Sequence, residues 1–372
     1  MKAIGMYIFG GSQTIGHLLE GWKIDTILEI SEEMPANNSY HFIKNYPNIK
    51  VKTPSEYENN TEYLNKLKEE HYDLLFANPP CSGLSQINRN ASADCAVNGF
   101  IYKTLDMIDT IRPKTFLIEN APTLTSTGLP ILKDLVKKLP NYYITIINDY
   151  AKNHKTPMAR RRTMVVGFNK DKFIKMPVIH QHVERVTLKE VLDNIQYKYN
   201  NEFMPESDTD MFKYYKYINS NSNLYDSLVD HDIIINKAVE KIKYNREHDL
   251  RSWNKSPWRP KEDSFAPSMT SLTRLVHPTE NRDFYIREYA ALMGYPDDFK
   301  FYPDECKVSA VQCIAQGVPV NFIRYISKEI MDSFKSSEYV DGDIIYINQC
   351  NPDNIRSKIY TIKEFMDTNT II

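Results

Sequence analysis

Short apolar segments alternate with amphipathic segments through the first half of the chain. The apolar segments have the length of strands, and the amphipathic ones carry apolar residues at helical spacing opposite Lys, Glu and Asp. This alternation is typical of βαβ units and predicts an α/β fold with a doubly wound, mostly parallel sheet. The predicted strands are Ala3–Phe9, Ile24–Glu29, Tyr72–Ala77, Thr115–Ile118, Tyr142–Ile147 and Thr163–Phe168, and the predicted helices are Thr61–Glu70, Gly99–Ile111 and Leu129–Leu139.

The position of the chemistry follows from this sheet. In open α/β sheets, ligands bind outside the carboxyl ends of the strands. We therefore expect the functional residues in the loops after Phe9, Glu29, Ala77 and Ile118.

The pattern changes after Pro177. Residues 184–261 are rich in Tyr, Asn, Lys and Ser, which predicts a smaller, irregular domain, and regular helical spacing returns at Ile286–Met293 and Ala310–Ile330. An Asp341-Gly342-Asp343 turn between apolar segments predicts a hairpin or appendage in the tail. The expected division is 1–183 catalytic domain, 184–275 second domain, 276–335 segments that return to the first domain, and 336–372 extension.

Composition narrows the class of protein. The 372 residues include 46 Lys+Arg and 48 Asp+Glu, a net charge of -2, and 42% of residues are hydrophobic, which excludes a disordered or coiled-coil chain. No long apolar segment or signal peptide is visible, so an intracellular, cytoplasmic protein without membrane contact is expected. The five cysteines form no CxxC pair, which argues against a disulfide framework and a structural zinc site, and we expect no metal.

One cysteine follows a predicted strand directly. In Ala77-Asn78-Pro79-Pro80-Cys81-Ser82-Gly83, two prolines stiffen the loop and a glycine lets it turn. A thiol held rigidly at a strand end is well placed to act as a nucleophile. The alternative is a small buried thiol beside a turn.

Two further segments carry charge at neighbouring strand ends. Glu119-Asn120 ends the next strand, where a partly desolvated carboxyl group could act as an acid, or serve only as a helix cap. Arg160-Arg161-Arg162 opens a later strand, in a 25-residue segment, 151–175, with eight Lys/Arg and a single Asp. This segment could bind anions beside the thiol, or be only a solvated face.

These segments in this order resemble the cytosine-5 DNA methyltransferase family. The resemblance extends to Phe9-Gly10-Gly11 after the first strand, to His277-Pro278 and the following Arg287–Phe299 segment, and to Gln316-Gly317-Val318-Pro319. It covers about 1–180 and 265–330. It implies a Rossmann-like class I methyltransferase fold with a target-recognition domain, and a monomer that methylates carbon 5 of a flipped cytosine in double-stranded DNA.

The resemblance also implies roles for individual residues. Cys81 would be the nucleophile, with Glu119, Arg160 and Arg162 completing the catalytic set. The cofactor S-adenosylmethionine would be bound by Phe9, Gly11, Ser12, Glu29, Ile30, Asn78, Pro80, Gln316 and Val318. The DNA substrate would be bound by Ser82, Ser85, Asn120 and Arg161, and, from the basic and aromatic segment Lys237–Lys261, by Lys241, Lys243 and Arg246.

The sequence departs from the family in the cofactor loop, where Gln13 and Thr14 stand in place of glycines. Two other readings stay open: a tRNA cytosine-5 methyltransferase on the same scaffold, and a catalytically silent DNA-binding relative. A nicotinamide oxidoreductase is disfavoured because the glycines do not form GxGxxG. The sequence also leaves open whether a cognate restriction endonuclease accompanies the enzyme, and whether it is bacterial or phage-encoded.

Overall fold

The structure is a computed structural model that describes residues 1–85, 88, 90–196, 209–250, 256–270, 274–351 and 354–371. Its centre is a nine-stranded sheet with the order β13-β12-β6-β7-β5-β4-β1-β2-β3. The strands are β1 Lys2–Met6, β2 Lys23–Leu28, β3 Lys50–Lys52, β4 Leu74–Ala77, β5 Thr115–Asn120, β6 Tyr142–Tyr150, β7 Arg161–Asn169, β8 Met176–Pro177, β9 Ser222–Asn223, β10 Trp258–Arg259, β11 Tyr339–Val340, β12 Ile344–Asn351 and β13 Asn354–Thr361.

Helices flank the sheet. The α-helices are α1 Ser12–Leu19, α2 Tyr40–Asn45, α3 Pro54–Tyr57, α4 Thr61–Glu69, α5 Gly99–Ile111, α6 Leu129–Lys138, α7 Leu188–Asp193, α8 Leu224–Asp230, α9 Lys237–Glu247, α10 Ile286–Leu292, α11 Ala310–Gln316, α12 Val320–Ser333 and α13 Ile362–Asp367. No helix in the described part of the chain is long and apolar enough to span a membrane.

The α/β fold with a mostly parallel sheet is confirmed. Strands β1, β2, β3, β4 and β5 pair in parallel, so their carboxyl ends lie at one edge. Strand β7 instead inserts antiparallel between β5 and β6. The first strand ends earlier than predicted, because Tyr7 and Phe9 have left-handed φ angles of 63° and 46° that no strand can continue.

The C-terminal tail is part of this sheet. The predicted hairpin is present, but its strands are β12 and β13, which pair up to Asn351 and Asn354, and the Asp341-Gly342-Asp343 segment precedes its first strand. Strand β12 pairs in parallel with β6, with Ile345 and Ile347 opposite Ile144 and Ile146. All four isoleucines are buried in one cluster, so the tail extends the core that packs on the nine-stranded sheet.

The predicted helix Ala310–Ile330 is two helices. Gly317 and Pro319 separate α11 from α12, since proline has no backbone N–H to continue the first helix. Helix α12 then packs against α1, and His17 Nδ1 lies 2.9 Å from Ser327 Oγ. The C-terminal segment thereby returns to the first strand-helix unit.

The irregular region has a small core of its own. It is composed of Tyr215, Ile218, Leu224, Leu228, Val239 and Val276. Arg259 is buried beside it and donates hydrogen bonds to the carbonyl oxygens of Tyr215, His277 and Glu280. Residues 197–208 lie outside the described residues, as do residues 251–255 of the basic and aromatic segment Lys237–Lys261.

Candidate active site

The Cys81 loop leaves the sheet at the carboxyl end of β4. Cys81 is half-buried and precedes a short 3-10 helix, Ser82–Leu84. Gly83 is needed here, because a Cβ atom at this position would lie 2.4 Å from Oδ1 of Asn98. The loop is tied to the next strand end by Asn120, whose Nδ2 donates to the carbonyl oxygen of Pro79 at 3.2 Å.

Glu119 and Arg162 meet beside this loop. Ala77 and Ile118 are paired in adjacent parallel strands, so the residues that follow them, the Cys81 loop and Glu119, emerge side by side. Arg162 Nε lies 2.8 Å from Glu119 Oε1, and the Glu119 carboxyl group is fully buried. Burial raises the pKa of Glu119, while Arg162 and Arg160 act in the opposite direction. The site therefore combines a thiol, a carboxyl group whose pKa is raised by burial, and a guanidinium.

Arg160 lies behind these groups and holds three segments together. Its Nη1 donates to the carbonyl oxygen of Met269 at 2.5 Å, and its Nη2 donates to those of Ala315 and Gly317, both at 2.9 Å. Burial, followed by repulsion from Arg162, lowers its pKa to about 9, and Glu119 and Cys81 oppose this. Arg160, which the resemblance places in the catalytic set, is therefore held by backbone carbonyls of two later segments.

Arg161 points away from this pair. Its guanidinium stacks over the Tyr150 ring at 5.3 Å, and its Nε and Nη2 are buried without a hydrogen-bond partner in the described structure. Such a cation is suited to an anionic partner such as phosphate. Ser82 is exposed on the Cys81 loop, and Ser85 is half-buried at its far end, where residues 86, 87 and 89 lie outside the described part.

The loop between β1 and α1 is shaped by its glycines. Gly11 precedes α1 at φ 83°, and a Cβ atom there would lie 2.2 Å from Cδ2 of Phe42. The backbone N–H of Val318 donates to Ser12 Oγ at 2.9 Å, which ties the start of α1 to the segment between α11 and α12. Phe9 is half-buried on the same loop.

Glu29 lies fully buried where β2 ends. Its Oε1 accepts hydrogen bonds from Ser39 Oγ at 2.6 Å and from the backbone N–H of Ile8 at 3.4 Å, and its Oε2 accepts from the backbone N–H of Ile30 at 3.1 Å. Burial raises its pKa to about 7, and these hydrogen bonds oppose the shift. No ion pair of Glu29 is found among the described residues, so its charge is not neutralised by a cation.

The other predicted cofactor residues border these loops. Asn78 is buried and Pro80 half-buried between β4 and Cys81. Gln316 is half-buried at the end of α11, where its Oε1 accepts a hydrogen bond from Asn38 Nδ2. Val318 is fully buried. The structure thus brings the predicted cofactor residues to one edge of the sheet.

Helix α9, the predicted DNA-binding helix, has two of its three predicted contact residues in ion pairs with nearby acids. Lys243 pairs with Asp232 at 2.5 Å, and Arg246 pairs with Asp226 and Asp230 at 2.8 and 2.7 Å. Lys241 is exposed and has no carboxylate partner in the described part of the chain. Local acids therefore compensate much of the positive charge on which the prediction depended, and these three residues are not brought to the Cys81 edge by any described contact.

Several residues of the site were given no role from the sequence. Gln13 and Thr14 are fully buried at the start of α1, and the Gln13 amide and the Thr14 hydroxyl have no hydrogen-bond partner in the described structure. Ser39 holds the Glu29 carboxyl group, and Tyr295 donates to the carbonyl oxygen of Gly10 at 2.9 Å. The departure from glycine at 13 and 14 was the only sequence signal for any of them.

Comparisons with known proteins agree with this geometry. The model of the C-5 cytosine-specific DNA methylase family matches residues 6–332. The chain is 23% identical to type II methyltransferase M.FnuDI of Fusobacterium nucleatum over 73% of this chain and 80% of that protein. It is 24% identical to type II methyltransferase M.NgoPII of Neisseria gonorrhoeae over 89% and 95%.

A solved structure shares the fold. A prophage-encoded DNA modification methyltransferase candidate of E. coli superposes with a TM-score of 0.63 at 18% identity, covering 90% of this chain and 100% of that one. The family model spans both the Cys81 edge and the returning helices α11 and α12. The chain therefore belongs to the C-5 cytosine-specific DNA methylase family.

Proposed function

We propose that the protein transfers a methyl group from S-adenosylmethionine to carbon 5 of a cytosine flipped out of double-stranded DNA. The observation that carries this proposal is the convergence of Cys81, Glu119 and Arg162 at one edge of the sheet, where β4 and β5 end and the antiparallel β7 begins. A thiol nucleophile, a carboxyl group with a raised pKa and a guanidinium are the groups that covalent activation of a pyrimidine requires.

The residues would divide the chemistry as follows. The Cys81 thiolate attacks carbon 6 of cytosine. Glu119 holds a proton at N3, and Arg162 fixes the carboxyl group and approaches the base oxygen, so the ring carries an electron-rich carbon 5. After methylation, loss of the carbon-5 proton and elimination of Cys81 release the product. Because this carbon is inaccessible inside a duplex, the nucleotide must be flipped at a cost of a few kcal/mol.

The cofactor would lie across the β1, β2 and β4 strand ends. When bound, S-adenosylmethionine supplies an electrophilic methyl group. Its ribose hydroxyls fit Glu29, a fully buried carboxylate without a cationic partner among the described residues. The buried Gln13 amide and Thr14 hydroxyl also need partners that a bound ligand could provide.

Residues 184–275 would form the target-recognition domain, 276–335 the segments that return to the catalytic domain 1–183, and 336–372 an extension. The small core around Tyr215 and Leu228 supports a separate unit, and Arg160 would couple it to the catalytic edge through Met269. We place the monomeric enzyme in the cytoplasm of a bacterium or phage host, where its DNA is accessible, with a cognate restriction endonuclease as a candidate partner and without a metal requirement.

Two assays test this proposal. Bisulfite sequencing of DNA from cells that express the protein should show protected cytosines in one sequence context, and the Cys81→Ser variant should show none. Parallel methyl-transfer assays on duplex DNA and on tRNA should favour DNA. Preferential methylation of tRNA would contradict the choice of substrate, and DNA binding without methyl transfer would indicate a silent relative.

A further inference from the structure

A second cluster of chemically reactive side chains lies beside the cofactor loop. A ring nitrogen of His41 and the Sγ atoms of Cys306 and Cys313 all lie within 4.8 Å of one another. His41 is in α2 and Cys313 in α11, and Cys306 is in the loop before α11. None of the three belongs to the catalytic or cofactor set described above.

The two cysteines differ in access to solvent. Cys313 is fully buried, whereas Cys306 is half-buried and donates a hydrogen bond to the carbonyl oxygen of Asn37 at 3.2 Å. Hydrogen bonding from Cys313 lowers the pKa of Cys306 to about 6, and Cys306, followed by burial, raises the pKa of Cys313. Cys306 is thus the thiol that a solvent-borne oxidant can reach, and Cys313 lies buried behind it.

The hydrogen bonds of His41 favour a thiol site over a metal site. The backbone N–H of Tyr302 donates to His41 Nδ1 at 3.2 Å, so the hydrogen of the neutral ring is on Nε2. Burial lowers the pKa of His41 to about 4, which keeps the ring neutral. Nε2 is buried without a hydrogen-bond partner in the described structure. A metal ion needs a ring lone pair that points at it, whereas a thiolate needs the N–H donor that this ring offers.

We propose that Cys306 and Cys313 form a reversible intramolecular disulfide when a peroxide reaches the protein, with His41 as the hydrogen-bond donor to the Cys306 thiolate. The Cys306 thiolate attacks one oxygen of hydrogen peroxide and becomes a sulfenic acid as the O–O bond breaks. The hydroxide that leaves takes up the proton that the Cys306 thiol released, and forms one water. Cys313 then attacks the sulfenic sulfur, and its proton leaves with the hydroxyl as a second water. Each sulfur loses one electron, and the two oxygens of the peroxide are reduced.

The disulfide would act on the neighbouring loop. A Cβ atom on Gly10 would lie 2.4 Å from the carbonyl oxygen of Cys313, so this part of α11 packs directly against the β1–α1 loop. Movement of Cys313 toward Cys306 would disturb that contact. We therefore expect the oxidised protein to bind S-adenosylmethionine more weakly, a consequence that rests on the proposed function.

The first test detects the bond itself. The full-length protein is treated with hydrogen peroxide, alkylated with iodoacetamide under denaturing conditions, and mapped by mass spectrometry with and without dithiothreitol. We expect a peptide pair joined through Cys306 and Cys313 that dithiothreitol separates, absent from Cys306→Ser and unchanged in the matched control Cys95→Ser. Oxidation of Cys306 to a stable sulfinic acid, with Cys313 still alkylated, would overturn the proposal.

The second test examines His41. In the reduced protein, His41→Leu should slow alkylation of native Cys306 by about threefold or more, and His41→Gln, which keeps a donor, should retain more of the rate. Because His41 is buried, circular dichroism is used to check that each His41 variant is folded. The disulfide test uses Cys306→Ser and does not depend on the His41 variants. One tightly bound zinc ion per reduced chain, lost in Cys306→Ser, would show a metal site instead.

Calorimetric titration separates this proposal from the function. The affinity of the reduced protein for S-adenosylmethionine tests the proposed cofactor site. The difference in this affinity between the oxidised and the reduced protein tests whether the disulfide at Cys313 disturbs the cofactor loop. Equal affinity of the two forms, after the disulfide has been demonstrated, would contradict the predicted effect on the loop.

Discussion

Arg162 Nε lies 2.8 Å from Oε1 of Glu119, and the two side chains are 13% and 3% exposed. The two atoms lack the alignment of a hydrogen bond, so Glu119 Oε1 has no formal hydrogen-bond partner despite this contact. The interaction is therefore mainly electrostatic. Arg162 lowers a carboxyl pKa that burial raises, and the balance between the two sets the protonation state of Glu119.

Arg162→Gln should change the pH dependence of catalysis. Without the guanidinium, the pKa of Glu119 rises further, and the basic limb of the kcat profile, where the acid loses its proton, should move to higher pH. Methyl transfer should fall much more than duplex binding, and Arg162→Lys should give a smaller pH shift. If the variant instead bound duplex DNA poorly but transferred methyl groups normally at saturating DNA, Arg162 would contact the DNA outside the flipped base.

Cys81→Ser tests the nucleophile. A serine hydroxyl is far less nucleophilic than a thiolate, so turnover and covalent capture by DNA containing 5-fluorocytosine should both be lost. Thermal unfolding should be nearly unchanged because the two side chains are similar in size. Cys95→Ser is the matched control, and an adduct that persists in the Cys81 variant would exclude Cys81.

Glu29 predicts a pH-dependent cofactor affinity. Ribose hydroxyls donate to the ionised carboxylate, and the pKa of Glu29 is about 7. S-adenosylmethionine should bind about tenfold more weakly at pH 6 than at the plateau above pH 8. Calorimetry should show that Glu29→Gln binds weakly without this dependence, while the exposed Glu32→Gln keeps it. A flat profile in the wild-type protein would remove Glu29 from the cofactor site.

The same carboxyl group affects the stability of the ligand-free protein. Its pKa in the folded state is raised from 4.5 to about 7, so the folded form binds a proton that the unfolded chain releases. The stabilisation is fully present below pH 4.5 and is lost as the pH rises through 7. Urea unfolding should detect this component as the difference between wild type and Glu29→Gln.

The proposed role of α9 in DNA binding can be tested by changing its basic residues and the acids that pair with them. If Lys241, Lys243 and Arg246 contact phosphates, neutralising all three should weaken duplex binding and reduce the slope of log affinity against log salt by up to about one per lost contact. Asp226→Asn with Asp230→Asn should release Arg246 and strengthen binding. Unchanged binding in both sets would place the DNA track elsewhere.

The tail should contribute to the stability of the catalytic domain. Ile345 and Ile347 are each 1% exposed, and an Ile→Ala change at either should lower the free energy of unfolding by about 2–5 kcal/mol. Ile359 on the neighbouring strand is 48% exposed, so its change to Ala should lower the free energy of unfolding by no more than about 0.5 kcal/mol. Equal effects at 347 and 359 in denaturant titrations would mean that β12 is not seated on β6.

The apolar pattern was sufficient to predict most of the catalytic domain, because its strands are buried on both faces and its helices are strongly amphipathic. Helix Gly99–Ile111 has the predicted bounds. The pattern could not show that β7 runs antiparallel, since strand direction depends on connections that apolar spacing does not record. It also could not place the tail beside β6, a pairing between residues about two hundred positions apart.

The position of the Cys81 loop after a strand was predictable, because it depends on consecutive residues. The contacts of Arg160 were not, because all its acceptors are backbone carbonyls, which carry no side-chain signature. The pairing of Lys243 and Arg246 with acids could not be predicted either, because it depends on how α9 packs against Asp232 and against α8.

Arg160 has a consequence for the order in which the protein can be made. Its three acceptor carbonyls, of Met269, Ala315 and Gly317, are synthesised at least 109 residues after it. A guanidinium cannot be buried without acceptors, so it must stay hydrated until the ribosome has added Gly317. A nascent chain that already contains Cys81 and Glu119 therefore still lacks the carbonyl partners of Arg160, and this buried contact can form only when nearly the whole family-matched region exists.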